Sequence, residues 1–214
     1  MPVSQRRGPY AKTQARRAEI ARAALDVVTT DGHKAVTVAS VAARSGLSEA
    51  TVAYHFATRD HLLVAAVELS NEVMAEGADI DLLAGVSRTG EFLSLMAAVG
   101  TSSRNRLALF EAMAAEAADP DHPAHAWLNR HYGTLLTVLA ARLQELQHDG
   151  QAHPDLDPMR FARQMVAVWD GLQRQWLADP AFDLPDEVAS AFRLLSRADI
   201  MEARRAMEAL AADL

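Results

Sequence analysis

Between Lys34 and Arg59 the chain gathers side chains that could read a charged polymer. Ser48, Glu49, Thr51, Tyr54 and His55 crowd into one short stretch, with Lys34, Thr37, Arg44 and Arg59 around it. Hydroxyl, carboxylate, phenol and imidazole groups can exchange hydrogen bonds with base edges, while the cations and Thr37 suit phosphate oxygens. Such groups act together only if a rigid element carries them outward. The stretch VASVAARSGLSEATVAYHFA, from Val38 to Ala57, has the spacing for one. Two short helices that cross closely need a small residue where their backbones meet, and Ala42 supplies it. The turn needs a left-handed backbone, and Gly46 tolerates one. The second helix needs an apolar anchor against the first, and Val52 provides it, with Val38, Val41 and Leu47 completing a small core. This is the pattern of a DNA-binding helix-turn-helix, although any compact helical hairpin can show the same small–Gly–apolar spacing.

The elements that must position this hairpin are helical. Ile20, Ala23, Ala24, Val27 and Val28 form an apolar stripe on a helix expected over 13–30, stopped by Asp31-Gly32. Thr37 and Ser48 are placed to cap the two short helices, and Thr58 a fourth that runs to about Glu76. Residues 77–90 read as a loose connection. Further helices are expected over 90–100, 104–118, 124–148, 158–178 and 186–211, separated by Asp-Pro, His-Pro and Asp-Gly breaks. The fold class is therefore all-α: a three-helix DNA-binding domain followed by a C-terminal helical bundle, about nine helices in all. The expected division is a flexible basic arm at 1–12, the helix-turn-helix domain at 13–58, and an effector-binding and dimerisation domain at 59–214.

Residues 13–63 resemble the N-terminal domain of TetR-family repressors. The likeness rests on the amphipathic first helix, on VTVASVAARSGLSEATV, on the run Tyr54-His55-Phe56, and on the step from Phe56 to Arg59 and Leu62. Two positions depart from the family pattern: Ala50 stands where glycine is usual, and Ala53 where a phosphate-touching tyrosine is common. The resemblance implies a homodimer on a near-palindromic stretch of double-stranded DNA, with Thr37, Ser48, Thr51, Tyr54, His55 and Arg59 as contacts. Arg6, Arg7, Lys12, Arg16 and Arg17 are expected to add phosphate or minor-groove contacts. It also implies a repressor released by a small hydrophobic ligand bound within the C-terminal bundle.

Large side chains for such a pocket are Phe92, Met96, Phe110, Met113, Trp127 and Trp169, with His131, Tyr132, Asp170 and Gln173 as polar anchors; taken singly, each reads as well as ordinary core. The family pairs its last two helices across a dimer axis, which points to Phe161, Met165, Leu172 and Trp176 on one helix and Val188, Phe192 and Leu195 on the next. The alternative is a helix-turn-helix dimer whose C-terminal part only dimerises or binds a protein partner.

Charge distribution agrees with a basic head on an acidic body. The net charge is −7, yet residues 1–60 hold nine Lys/Arg against five Asp/Glu, and residues 61–214 hold twelve against twenty-three. The absence of cysteine excludes disulfide and thiolate chemistry and is consistent with a cytoplasmic protein. There is no apolar run of membrane-spanning length. No phosphate-binding glycine loop or nucleophile elbow occurs, so neither an enzymatic activity nor a cofactor is expected. His122, His125, His148 and His153 lie near helix ends without a third ligand at metal-binding spacing, so no metal is expected.

Overall fold

The structure is a computed structural model that describes residues 9–77 and 103–212. Nine α-helices and no strand occur among the described residues: α1 (Pro9–Asp31), α2 (Val38–Ser45), α3 (Glu49–His55), α4 (Arg59–Gly77), α5 (Arg104–Glu116), α6 (Pro123–His148), α7 (Pro158–Ala178), α8 (Leu184–Ser196) and α9 (Ala198–Ala212). A single 3-10 turn, His33–Ala35, links α1 to α2. The expected helix over 90–100 and the connection over 78–90 lie outside the described residues. The chain forms two compact units, one of residues 1–77 with 103–127, the other of 78–102 with 128–214.

In the first unit α1 packs against α2, α4, α5 and the 3-10 turn. Its stripe is where the spacing puts it: Ile20, Ala23, Ala24, Val27 and Val28 are all buried. Burying Ile20, Val27 and Val28 contributes about 1.5–3 kcal/mol each. Gly32 follows α1 at φ 84°, a value that disfavours any side chain, and its N–H donates to the Val28 carbonyl. The described part of α1 reaches back to Pro9, ahead of the expected start near 13, and a proline is tolerated in the first turn of a helix. The unit holding α3 also takes in more chain than 13–58. α4 contributes Leu62, Leu63, Ala66 and Val67, and α5 contributes Leu107, Leu109 and Met113, to the buried set. The Asn105 side chain donates to the Thr29 carbonyl at 3.0 Å, tying α5 to the end of α1.

In the second unit α7 packs on α8 and α8 on α9. Its core joins Leu139, Leu143 and Leu146 of α6, Phe161, Ala162 and Met165 of α7, and Leu184, Val188 and Phe192 of α8. Phe161 and Phe192 meet edge to face at 5.5 Å. Asp157 and Asp183 cap α7 and α8, accepting from the N–H groups of Arg160 and Asp186.

This core changes the reading of the dimer faces. Phe161, Met165, Val188 and Phe192 are buried within the chain itself. Leu172, Trp176 and Leu195 are only partly buried. The large apolar side chains that α7 and α8 leave exposed are Met159 and Leu194.

The single helix expected over 186–211 is two helices. Arg197 takes φ 56° and ψ 34°, ending α8 and starting α9 at once. The break is held from three sides. The His153 N–H donates to the Ser196 carbonyl at 3.1 Å. Arg193 bonds Asp199 and Glu202 of α9. Arg205 reaches back to the Gly150 carbonyl at 2.8 Å. None of the helices among the described residues is long and apolar enough to cross a membrane.

Candidate nucleic-acid interface

The helical hairpin is built from its caps inward. Thr37 and Ser40 form a reciprocal capping box at the start of α2, each side chain accepting the other's backbone N–H. α2 ends at Gly46, which adopts the left-handed backbone expected of it, φ 71° and ψ 16°, while the Leu47 N–H returns to the Ala42 carbonyl at 3.1 Å. Ser48 then caps α3, accepting from the Thr51 N–H, and its hydroxyl lies 2.8 Å from that of Thr51. Val41, Ala42 and Val52 are buried at the crossing, with Val52 wholly enclosed.

Fixing Val52 inward turns the remainder of α3 outward. Ser48, Glu49, Ala50, Ala53 and Tyr54 are exposed, and Tyr54 stands 85% exposed with its ring edge-on to His55. Thr51 and His55 are half-buried, and Phe56 is core. Lys34 and Thr37 are exposed beside this face. The arrangement can present hydroxyl, carboxylate, phenol and imidazole groups to a groove from one short rigid helix.

Several basic residues have structural tasks that composition could not assign. The Arg59 guanidinium donates from Nε to the Val36 carbonyl at 2.9 Å and from a terminal nitrogen to the His33 carbonyl at 2.8 Å. It thereby ties the start of α4 to the segment leading into α2. Arg44 pairs with Asp31 at 3.3 Å and also donates to Thr30. Arg17, read from sequence as a DNA-contacting cation, lies on α1, where it donates to the His55 carbonyl and covers the Phe56 ring at 4.2 Å from its centroid. Arg17 is therefore a clamp on the C-terminal end of α3. Arg16 pairs with Glu19, Lys12 is exposed, and Arg6 and Arg7 lie outside the described residues.

Two bonds from a charged donor to backbone carbonyls give the first checkable expectation. Arg59→Ala should destabilise the first unit by about 1–2 kcal/mol, the lower part of the range for charged hydrogen bonds because the side chain is partly exposed. A lower thermal midpoint would show this loss. If Arg59 also reaches a phosphate, the salt dependence of DNA binding should become shallower by about one unit.

The histidines near helix ends have local tasks. His122 lies 3.7 Å from the Asp60 carboxylate and accepts from the Ala124 N–H, while a ring nitrogen of His125 lies 2.9 Å from the Ala117 carbonyl oxygen. His153 accepts from the Asp155 N–H.

Of the side chains expected at an effector pocket, Phe92 and Met96 lie outside the described residues. Phe110 and Trp127 stack edge to face at 5.6 Å, and Met113 is buried, all in the first unit. His131, Trp169 and Gln173 belong to the second. There the Tyr132 hydroxyl donates to the Asp170 carboxylate at 2.6 Å, joining α6 to α7. Gln173 is 6% exposed, and its Oε1 has no hydrogen-bond partner among the described residues. Leaving such an acceptor unpaired costs about 1–3 kcal/mol.

Burial holds the His131 imidazole below its ordinary value of 6.5. His33 is lowered too, first by burial and then by Arg59 and Lys34. Both are favoured neutral in the fold, whereas the unfolded chain takes up protons at 6.5. The stability they support is complete above 6.5 and is lost as pH falls toward the depressed values. Urea midpoints should therefore drop between about pH 7.5 and about pH 5.5, and the drop should shrink in His131→Gln.

Residues 20–66 match the family profile described as bacterial regulatory proteins, tetR family. No curated protein matches the sequence. Solved structures do resemble the fold. A protein from Rhodococcus sp. described as a TetR-family transcriptional regulator superimposes with a TM-score of 0.68 at 21% identity, over 86% of this chain and 99% of that one. The Thermus thermophilus repressor FadR, in complex with lauroyl-CoA, gives 0.62 at 22% identity, over 84% and 92%. A transcriptional regulator from Saccharomonospora viridis, in complex with choline, gives 0.66 at 20% identity, over 85% and 94%. Residues 20–66, which hold the capped helix-turn-helix with its outward α3, thus match the TetR family of bacterial regulatory proteins, and most of the chain shares the all-helical fold of the solved regulators.

Proposed function

We propose that this chain is a transcriptional repressor that binds a near-palindromic operator as a homodimer and leaves it when a small hydrophobic ligand enters the second unit. The observation that carries the DNA-binding part is the outward face of α3, where Tyr54 is almost wholly exposed while Val52, two residues away, is wholly buried. Ser48, Glu49, Thr51, Tyr54 and His55 would meet base edges, and Lys34, Thr37, Arg44 and Arg59 phosphates. Two such helices would enter successive major grooves about 34–36 Å apart. Ligand response is supported by the fold's occurrence in proteins bound to lauroyl-CoA and to choline. The site of action is then the cytoplasm, where the operator lies.

The test is selection of bound fragments from genomic DNA, followed by the mass of the complex. The proposal expects an enriched inverted repeat carrying an even number of chains. No enriched sequence, or one chain per duplex, would defeat it.

A second reading keeps the DNA-binding dimer but gives the C-terminal part a protein partner in place of an effector. Ile200, Met207 and Leu210 favour it, because all three stay exposed on α9. Ligand response requires reciprocity: operator and effector must weaken each other by equal free energies. An effector affinity indifferent to operator would leave only the second reading.

A further inference from the structure

α3 spans only Glu49–His55, seven residues, a length that is not stable as a helix alone in water. Its contacts therefore set where it lies. The Ser48 cap and the turn at Gly46 fix its first end, and the enclosed Val52 fixes its middle. Its last turn leaves backbone carbonyls without an intrahelical donor. One of them, that of His55, accepts from the Arg17 guanidinium of α1, 38 residues away in sequence. The same guanidinium lies 4.2 Å from the centroid of the Phe56 ring, which is itself core at 2% exposure. Arg17 thus holds two consecutive residues where α3 ends, one by a directional bond and one by a planar contact. Tyr54 and His55, with ring centroids 5.1 Å apart, stand at this held end. With Val52 as pivot, release of the end would tilt α3 and carry both rings with it. Hydrogen bonds to base edges weaken beyond about 3.2 Å, so they would suffer from such a tilt. Attraction to phosphate is a charge effect that depends little on it.

We propose that Arg17 is a specificity-determining residue that touches no base: it fixes the angle at which α3 presents Tyr54 and His55. It thereby sets the ratio of operator affinity to affinity for other duplexes. This rests on the DNA-binding reading above and adds the residue that positions that site. A cation serving the duplex directly would strengthen binding to every sequence alike, and lysine would supply the same charge. The positioning role needs the guanidinium itself, because an ammonium has no planar face to lay on Phe56.

The experiment titrates full-length Arg17→Ala and Arg17→Lys, each alone and combined with Tyr54→Ala, against the selected operator and a scrambled duplex at several salt concentrations. Arg17→Ala should lose about fivefold or more in operator affinity, comparable to one lost base contact. Its affinity for the scrambled duplex and its salt slope should stay as in the wild type. Arg17→Lys should recover less than half of the loss. In the Tyr54→Ala background the loss from Arg17→Ala should shrink to about twofold or less, because less remains to be positioned. Without DNA, Arg17→Ala should quicken amide hydrogen exchange at Tyr54, His55 and Phe56 more than at Val41 of α2, which general destabilisation would not do. A slope shallower by about one unit with full recovery in Arg17→Lys would mean a phosphate contact and overturn the proposal. Losses at 17 and 54 that simply add, unchanged exchange at the end of α3, or wild-type operator affinity in Arg17→Ala would overturn it too. All of these leave the DNA-binding reading standing. A wild-type protein that selects no duplex defeats that reading, and the role of Arg17 with it.

Discussion

Val52→Asp is expected to abolish DNA binding by unfolding the first unit. The Val52 side chain is wholly enclosed where α3 crosses α2, beside the small Ala42. A carboxylate there would have neither water nor a cation, and an unpaired buried charge costs several kcal/mol. Domains of this size are stable by only about 5–15 kcal/mol in total, so most of the margin would go. A thermal melt followed by circular dichroism should show the loss. Val52→Ala, which only leaves a small cavity, should cost about 1–3 kcal/mol and retain DNA binding at low temperature. A Val52→Asp protein that melts like wild type would mean that α3 is not seated as described.

Tyr54→Ala is expected to do the opposite: leave the fold unchanged and weaken operator binding about tenfold or more, or about 1–3 kcal/mol. Tyr54 is 85% exposed, and its ring lies T-shaped to that of His55. Surface substitutions of this kind usually alter stability by less than about 0.5 kcal/mol. The pattern of loss would also identify the contact. A uniform loss across sequences would point to phosphate, and a loss confined to the selected operator to a base edge. Together the two variants separate the inner side of α3, which sets the fold, from its outer side, which meets the duplex.

The local parts of this architecture were legible in the amino-acid sequence. Thr37, Gly46 and Ser48 act through bonds to residues within a turn or two, so their types and spacing were enough to place α2 and α3. Periodicity likewise placed the stripe on α1. What it could not supply was the identity of the covering surface. Phe161, Met165, Val188 and Phe192 have the spacing of a buried face, but the pattern is the same whether a second chain or the protomer's own core covers them. The break at Arg197 was illegible for a different reason. Arginine does not favour positive φ, and the bonds that hold the break come from His153 and Gly150, distant in sequence, as well as from Asp199 and Glu202 nearby. Arg17 and Arg59 show the same limit: a cation's charge does not reveal whether it meets a phosphate or a backbone carbonyl, and here both reach carbonyls.

The account depends on α3 being the element that enters the duplex. Its most direct test is photocrosslinking with benzoylphenylalanine placed singly at Tyr54, Glu49 and, as a control far along the chain, Leu210. With the DNA fragment that the wild-type protein selects, crosslinks are predicted from positions 54 and 49 and none from 210. Crosslinks from 210 with none from either α3 position would contradict the account.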